Sequence, residues 1–207
     1  MTNSYMDEPD IPRRVLLGPG PSSVHPRVLQ AMAQPVVGHL DPKFFQVMDD
    51  VGEMLRQVFN TSNYMTAPIS STGTGAMETA CVNILEQGDT MVVCRNGYFG
   101  LRLADIAERC GAETYNLDVP WGKAVDVQAL EDELKKHQKV KAVGVVHAET
   151  STGVLTPLPE ICDLAHRYGA VVIVDAVTSL GGHEVRMDDW GVDVCYSATQ
   201  KCLGAPP

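Results

Sequence analysis

The sequence predicts an α/β protein: a three-layer α/β/α arrangement around a mostly parallel sheet. Three observations predict it. Short apolar runs alternate with stretches of helical period along most of the chain. Glycine and proline punctuate the junctions between them. Polar residues crowd in just after the apolar runs, at the strand ends where such sheets bind their ligands. At 207 residues the chain is long enough for one large domain with a substantial core. Its 44% apolar and 20% charged content is that of a globular protein, which argues against a disordered chain.

The elements follow in order. The first twelve residues are polar and contain proline, without the apolar centre of a signal segment. "VLLGPGPSSVHP" (15–26) then reads as extended chain, and residues 1–22 are assigned to an N-terminal arm, with 23–207 as the domain. Residues 43–59 place Phe44, Val47, Met48, Val51, Met54, Leu55 and Val58 on one helical stripe. The turn "SSTGTG" (70–75) leads into a helix over about 75–86. "TMVVC" (90–94) is a short buried strand, and "FGLRLADIAERCG" (99–111) a helix closed by glycine. "ETYNLDV" (113–119) is a strand, and "DVQALEDELKKH" (126–137) an amphipathic helix with lysines in its last turns. "VKAVGVVH" (140–147) is a strand, and "PLPEICDLAHRYG" (157–169) a helix with proline near its start and glycine past its end. "AVVIVD" (170–175) and "VDVCYSA" (192–198) are the last two strands.

Composition excludes several functions. A formal charge of −10 with no basic stripe argues against nucleic-acid binding. No run approaches the roughly 20 apolar residues of a membrane span. The six cysteines form no C-x-x-C pair and no metal-ligand spacing. They are expected as reduced thiols in a cytoplasmic protein, with no metal.

Four stretches can carry chemistry. Thr72, Gly73 and Thr74 open a helix after a glycine turn, so exposed amides and hydroxyls could cradle an anion; a plain capped helix has the same appearance. The turn matches neither the dinucleotide fingerprint nor the Walker loop. "VVHAETSTG" (145–153) packs His147, Glu149, Thr150, Ser151 and Thr152 after an apolar run, and by itself decides nothing. Asp175 follows five apolar residues, where a carboxylate needs a cation or several donors; it could equally cap the turn after it. Lys201 stands just past the last strand, where a shielded amine can attack an aldehyde. An anion cradle, a carboxylate and a lysine at strand ends are together the handles that hold pyridoxal 5'-phosphate. Phe99, after another strand, offers a ring to stack on the pyridine.

With those residues in place, the chain resembles the first half of a class V aminotransferase of the alanine–glyoxylate and serine–pyruvate group. The matching motifs are "LLGPGPSSVHPRVL", "TGTGAMETA", "HAETSTGV", "VDAVTSLGG" and "ATQKCLGAPP". The resemblance implies the large domain of an aspartate aminotransferase-like transferase. It makes Lys201 the Schiff-base lysine and Asp175 the partner of the ring nitrogen, these two being catalytic. Thr72, Gly73, Thr74 and Gln200 become phosphate contacts, Thr150 a hydroxyl near the ring, and Phe99 a stacking ring where the group often has tryptophan. Gly20 falls where the N-terminal strand lines the substrate pocket.

The implied reaction is transamination between alanine or serine and a 2-oxo acid such as glyoxylate or pyruvate, by a homodimer. (S)-Ureidoglycine is an alternative donor. A cysteine desulfurase-like lyase and an inactive folded fragment are the other readings. Cys202, next to Lys201, is expected to pack. Members of the group run to nearly twice this length, with a C-terminal small domain that supplies an arginine for the substrate carboxylate. The chain is therefore expected to be a truncated piece, and an organellar address beyond Pro207 stays open.

Overall fold

A computed structural model describes residues 9–207. Residues 1–8 of the expected arm lie outside the described residues, and residues 9–21 form neither helix nor strand.

Twelve elements follow: α1 (Pro26–Met32), α2 (Pro42–Phe59), α3 (Gly73–Ile84), β1 (Thr90–Arg95), α4 (Tyr98–Arg109), β2 (Glu113–Asp118), α5 (Val127–Leu134), β3 (Ala142–Val146), α6 (Leu158–Arg167), β4 (Val171–Asp175), α7 (Met187–Trp190) and β5 (Val194–Tyr196). The strands form one sheet in the order β2-β1-β3-β4-β5, and every neighbouring pair is parallel. Alternate strand residues face opposite layers. Val92, Val143, Val172 and Val174 pack with Leu130 and Leu134 of α5 and Leu158, Ile161 and Leu164 of α6. Met91, Val93, Ala142 and Ile173 face the other way, onto Met77 and Cys81 of α3 and Leu103 and Ala107 of α4. Helices therefore cover both faces, as the alternation of runs predicts.

The order of strands places a site. From β1 the chain crosses to β2 on one side, then returns to place β3 on the other side of β1. The loops leaving β1 and β3 flank the gap where α/β sheets bind ligands.

Several details differ from the sequence reading. α3 begins and ends two residues earlier than expected, because Thr72 caps it by accepting a hydrogen bond from Gly75 N–H at 3.2 Å. Lys135 and Lys136 fall just past the end of α5 and bridge exposed Asp132 and half-buried Glu133 instead of closing the helix. Only three residues of the expected 192–198 strand pair with β4. α1 and α7 were not anticipated; α1 starts at Pro26 behind His25, whose ring accepts from Arg27 N–H. The apolar stripe of α2 is present, yet Val47, Met54 and Val58 are exposed and only Gly52 and Phe59 are buried. Among the described residues no helix is long and apolar enough to cross a membrane, and no group of His, Cys, Asp and Glu could hold a metal. All six cysteines are unpaired. Cys202, expected to pack, is exposed, because its loop runs over the surface; its Sγ leans on Gly182 and Thr178 O.

Candidate functional site

β4 runs into Asp175, which is buried to 2% exposure. Val177 N–H donates to its Oδ1 at 2.9 Å, and the buried Tyr196 hydroxyl donates to its Oδ2 at 3.0 Å. The bond from Val177 N–H makes Asp175 a cap of the turn after β4, one of the two readings its sequence position allows. Burial lifts its pKa to about 6; the two hydrogen bonds oppose this, the Glu149 charge adds to it, and the Lys201 charge pulls it down. A carboxylate so placed is poised to ionise fully once a cation reaches it.

Lys201 lies half-buried in the loop after β5. The N-terminal segment crosses this loop: Ser22 N–H donates to Gln200 O and Ser22 Oγ–H to Lys201 O, each at 2.8 Å. Gly20 faces the amine so closely that a Cβ there would stand 2.7 Å from Lys201 Nζ, and its φ of +148° is one that side chains avoid. Glycine at this position makes room for the Lys201 side chain, which lies against its backbone. Gln200 and Lys201 are thereby fixed by a residue some 180 positions earlier in the chain.

The anion turn sits against the same loop. A Cβ on Gly73 would approach Ala198 Cβ to 3.0 Å and Val177 Cγ2 to 3.6 Å, so the start of α3 touches both the β4 and β5 loops. Thr72, Gly73 and Gln200 line a cavity of about 510 Å³ that continues along the open edge of β5. Thr74 Oγ1 accepts from Arg102 Nη1 at 3.0 Å, and Arg102 Nη2 donates to Tyr98 Oη at 3.0 Å. The guanidinium carbon lies 5.1 Å from the Tyr98 ring centre and 5.8 Å from that of Phe99. Arg102 therefore joins the turn to the expected stacking ring.

The loop after β3 supplies the remaining group. Thr150 Oγ1 is 3.0 Å from Thr178 Oγ1, whose hydroxyl donates to Ala148 O at 2.6 Å. Glu149, fully buried, accepts from the backbone of Phe99 and Gly100. His147 is a packing group: buried between the edges of His183 and Trp190, it is pushed down to about 4, chiefly by burial and then by His183, and stays neutral.

Gly20, Thr72, Gly73, Thr74, Phe99, Thr150, Asp175, Gln200 and Lys201 thus come together at the carboxyl end of the sheet or against it. Sequence reasoning missed Tyr196, Ser22 and Arg102. Only the register β4–β5, which pairs Asp175 with Tyr196, brings that hydroxyl to the carboxylate. No local signal announces the other two contacts. The set fits pyridoxal phosphate: the lysine amine is only half-buried at the sheet end that also holds Asp175, and the α3 start presents hydroxyls and backbone amides suited to a phosphate.

The family model for class-V aminotransferases matches residues 14–206. The chain is 45% identical to the alanine–glyoxylate aminotransferase of Rattus norvegicus, over 95% of this chain and 47% of that protein. It is 42% identical to the (S)-ureidoglycine–glyoxylate transaminase of Bacillus subtilis, over 94% and 47%. A crystal structure of an alanine–glyoxylate aminotransferase from Nostoc sp. superposes with a TM-score of 0.94 at 44% identity, covering 99% of this chain and 55% of that one. The chain spans about half the length of the curated relatives it matches. With its parallel sheet, its strand-end lysine and carboxylate, and a match over nearly all of its residues, the chain belongs to the class-V aminotransferase family.

Proposed function

We propose that the protein moves an amino group between a small amino acid, alanine or serine, and a 2-oxo acid such as glyoxylate or pyruvate. Lys201 carries this reading: a half-buried amine packed against Gly20, in the loop past β5, on the same sheet end as the buried Asp175.

Pyridoxal phosphate, the cofactor of the class-V family, supplies when bound an aldehyde carbon and a ring that accepts electrons. Lys201 would hold the aldehyde carbon, and Asp175 would face the ring nitrogen. The amides at Gly73 and Thr74, with Thr72 and Gln200, would take the phosphate at the positive end of α3. Phe99 would cover one ring face, and Thr150 would offer its hydroxyl at the ring edge. The Lys201 amine would take the proton from the substrate Cα and return one, as base and then acid. Asp175 as a carboxylate would hold a proton at the ring nitrogen and so stabilise negative charge developing in the reaction. Gly20 and Ser22 bring the end of the 1–22 arm onto this site in the 23–207 domain.

The identity of 42% to the Bacillus subtilis (S)-ureidoglycine enzyme favours a second donor. Rates with alanine, serine and (S)-ureidoglycine against glyoxylate separate the two. A homodimer is part of the proposal, supported by the apolar side chains left exposed between residues 11 and 69, Leu17, Val36 and Met65 among them.

Borohydride reduction of the cofactor-loaded protein, followed by peptide mapping, is expected to label Lys201. A label on any other lysine ends the assignment.

A further inference from the structure

The loop after β3 holds a carboxylate that the proposed reaction leaves idle. Glu149 is fully buried, and its hydrogen-bond partners among the described residues are backbone N–H groups and one hydroxyl, not a cation. Ser151 donates to its Oε1 twice, from Oγ at 2.8 Å and from N at 3.1 Å. Phe99 N–H is shared between Oε1 at 3.3 Å and Oε2 at 3.2 Å, and Gly100 N–H reaches Oε2 at 3.3 Å. Tyr98 N–H donates to Ser151 Oγ at 3.0 Å. The first three N–H groups of α4, which no helix can satisfy internally, are thus all met from a loop some 50 residues away.

A local cap would have been simpler. Serine at an N-cap position satisfies such donors without burying a charge. Here position 97 is glycine and makes no side-chain cap bond. A Cβ there would lie 2.5 Å from Glu149 Cδ and 2.6 Å from Ser151 Oγ, so the carboxylate rests directly on the Gly97 backbone. Its own base is stiff: Glu149 N–H donates to Val154 O at 2.9 Å, and Gly153 N–H to Glu149 O at 2.7 Å. What the distant cap achieves, and a local one could not, is to tie α4 to the loop of Thr150 across the gap between β1 and β3.

We infer that Glu149 is a positioning residue for the cofactor ring. It locks the start of α4, and with it Phe99, at a fixed place relative to Thr150, so that the stacking face and the ring-edge hydroxyl are held together before the cofactor arrives. The negative charge at the positive end of α4 strengthens the lock. This rests on the pyridoxal phosphate reading above.

The test uses the intact protein, stripped of cofactor and titrated with pyridoxal phosphate. Glu149→Gln keeps the shape but turns an amide donor toward backbone donors. Hydrogen bonds to a buried charge are strong enough that affinity is expected to fall about ten- to a hundredfold. The visible circular dichroism of the bound cofactor should weaken as it does in Phe99→Ala. In the Phe99→Ala background, Glu149→Gln should change affinity by less than about twofold, since the ring it positions is gone.

Additive losses in that cycle would show a plain helix cap and overturn the inference, as would unchanged affinity and dichroism in Glu149→Gln. Should Glu149→Gln not fold, Ser151→Ala takes its place in the same cycle, with a smaller loss that again vanishes without Phe99; an additive loss overturns the inference there too. Wild-type protein that forms no bond between Lys201 and the cofactor overturns the functional reading itself, a separate result.

Discussion

Asp175 shows what a single buried charge demands. Its two oxygens are met by Val177 N–H and the Tyr196 hydroxyl, yet burial still holds its pKa up at about 6, against an ordinary 3.8. The folded value lies above the unfolded one, so protonated Asp175 favours the folded state at low pH. That contribution is fully present below about pH 4 and is lost as pH rises through 6. By linkage it amounts to about 3 kcal/mol at most. Cofactor-free wild type should therefore lose stability relative to Asp175→Asn between pH 4 and 7 in denaturant titrations; parallel curves would remove the assigned cause. The same variant should keep its cofactor through the phosphate and Lys201, yet turn over on the order of a hundredfold more slowly, because the electrostatic stabilisation such groups provide is worth several kcal/mol. Near-normal single turnovers with alanine would show that the carboxylate has another task. Asp175 and Lys201 were legible in the sequence because a polar group after an apolar run marks a strand end. Tyr196 and Ser22 were not, since their contacts depend on strand register and on chain 179 residues apart.

At the scale of elements, helix and strand positions were legible wherever period and punctuation agreed, as in α6 with proline at its start and Gly169 beyond its end. They were least legible where a partner decides the outcome. β5 is only three residues long because pairing with β4 stops at Tyr196, and the α2 stripe stays largely uncovered because little of this chain packs on it. How closely α4 approaches the sheet is likewise invisible in sequence. It depends on Gly144 in β3, where a Cβ would run into Met91 Cε and come within 2.9 Å of Leu103 Cδ2. Gly144→Ala should destabilise the fold by about 1–3 kcal/mol through overpacking, with Met91, as a flexible thioether, giving way first. Thermal unfolding measures it. No loss of stability would mean that α4 can lift from the sheet freely, and the precise seating of Phe99 at its start would then need another explanation.

For the molecule as a whole, two facts about its surface stand against each other. The sheet is well covered on both faces, while residues 11–69 leave Val36 99%, Leu17 91% and Met65 83% exposed. Apolar exposure on this scale is what the proposed homodimer would cover. A formal charge of −10 slows random association but does not remove the gain from covering those side chains. The 207-residue chain, purified alone, should therefore sediment as a dimer or larger species at about 10 μM, within the range where exposed apolar surface drives association. Replacing Leu17, Val36 and Met65 by serine should shift it toward monomer. Far-ultraviolet circular dichroism should not change, because none of the three contributes to the core on either face of the sheet. A chain that is monomeric before any substitution would remove the support that this surface gives to a homodimer.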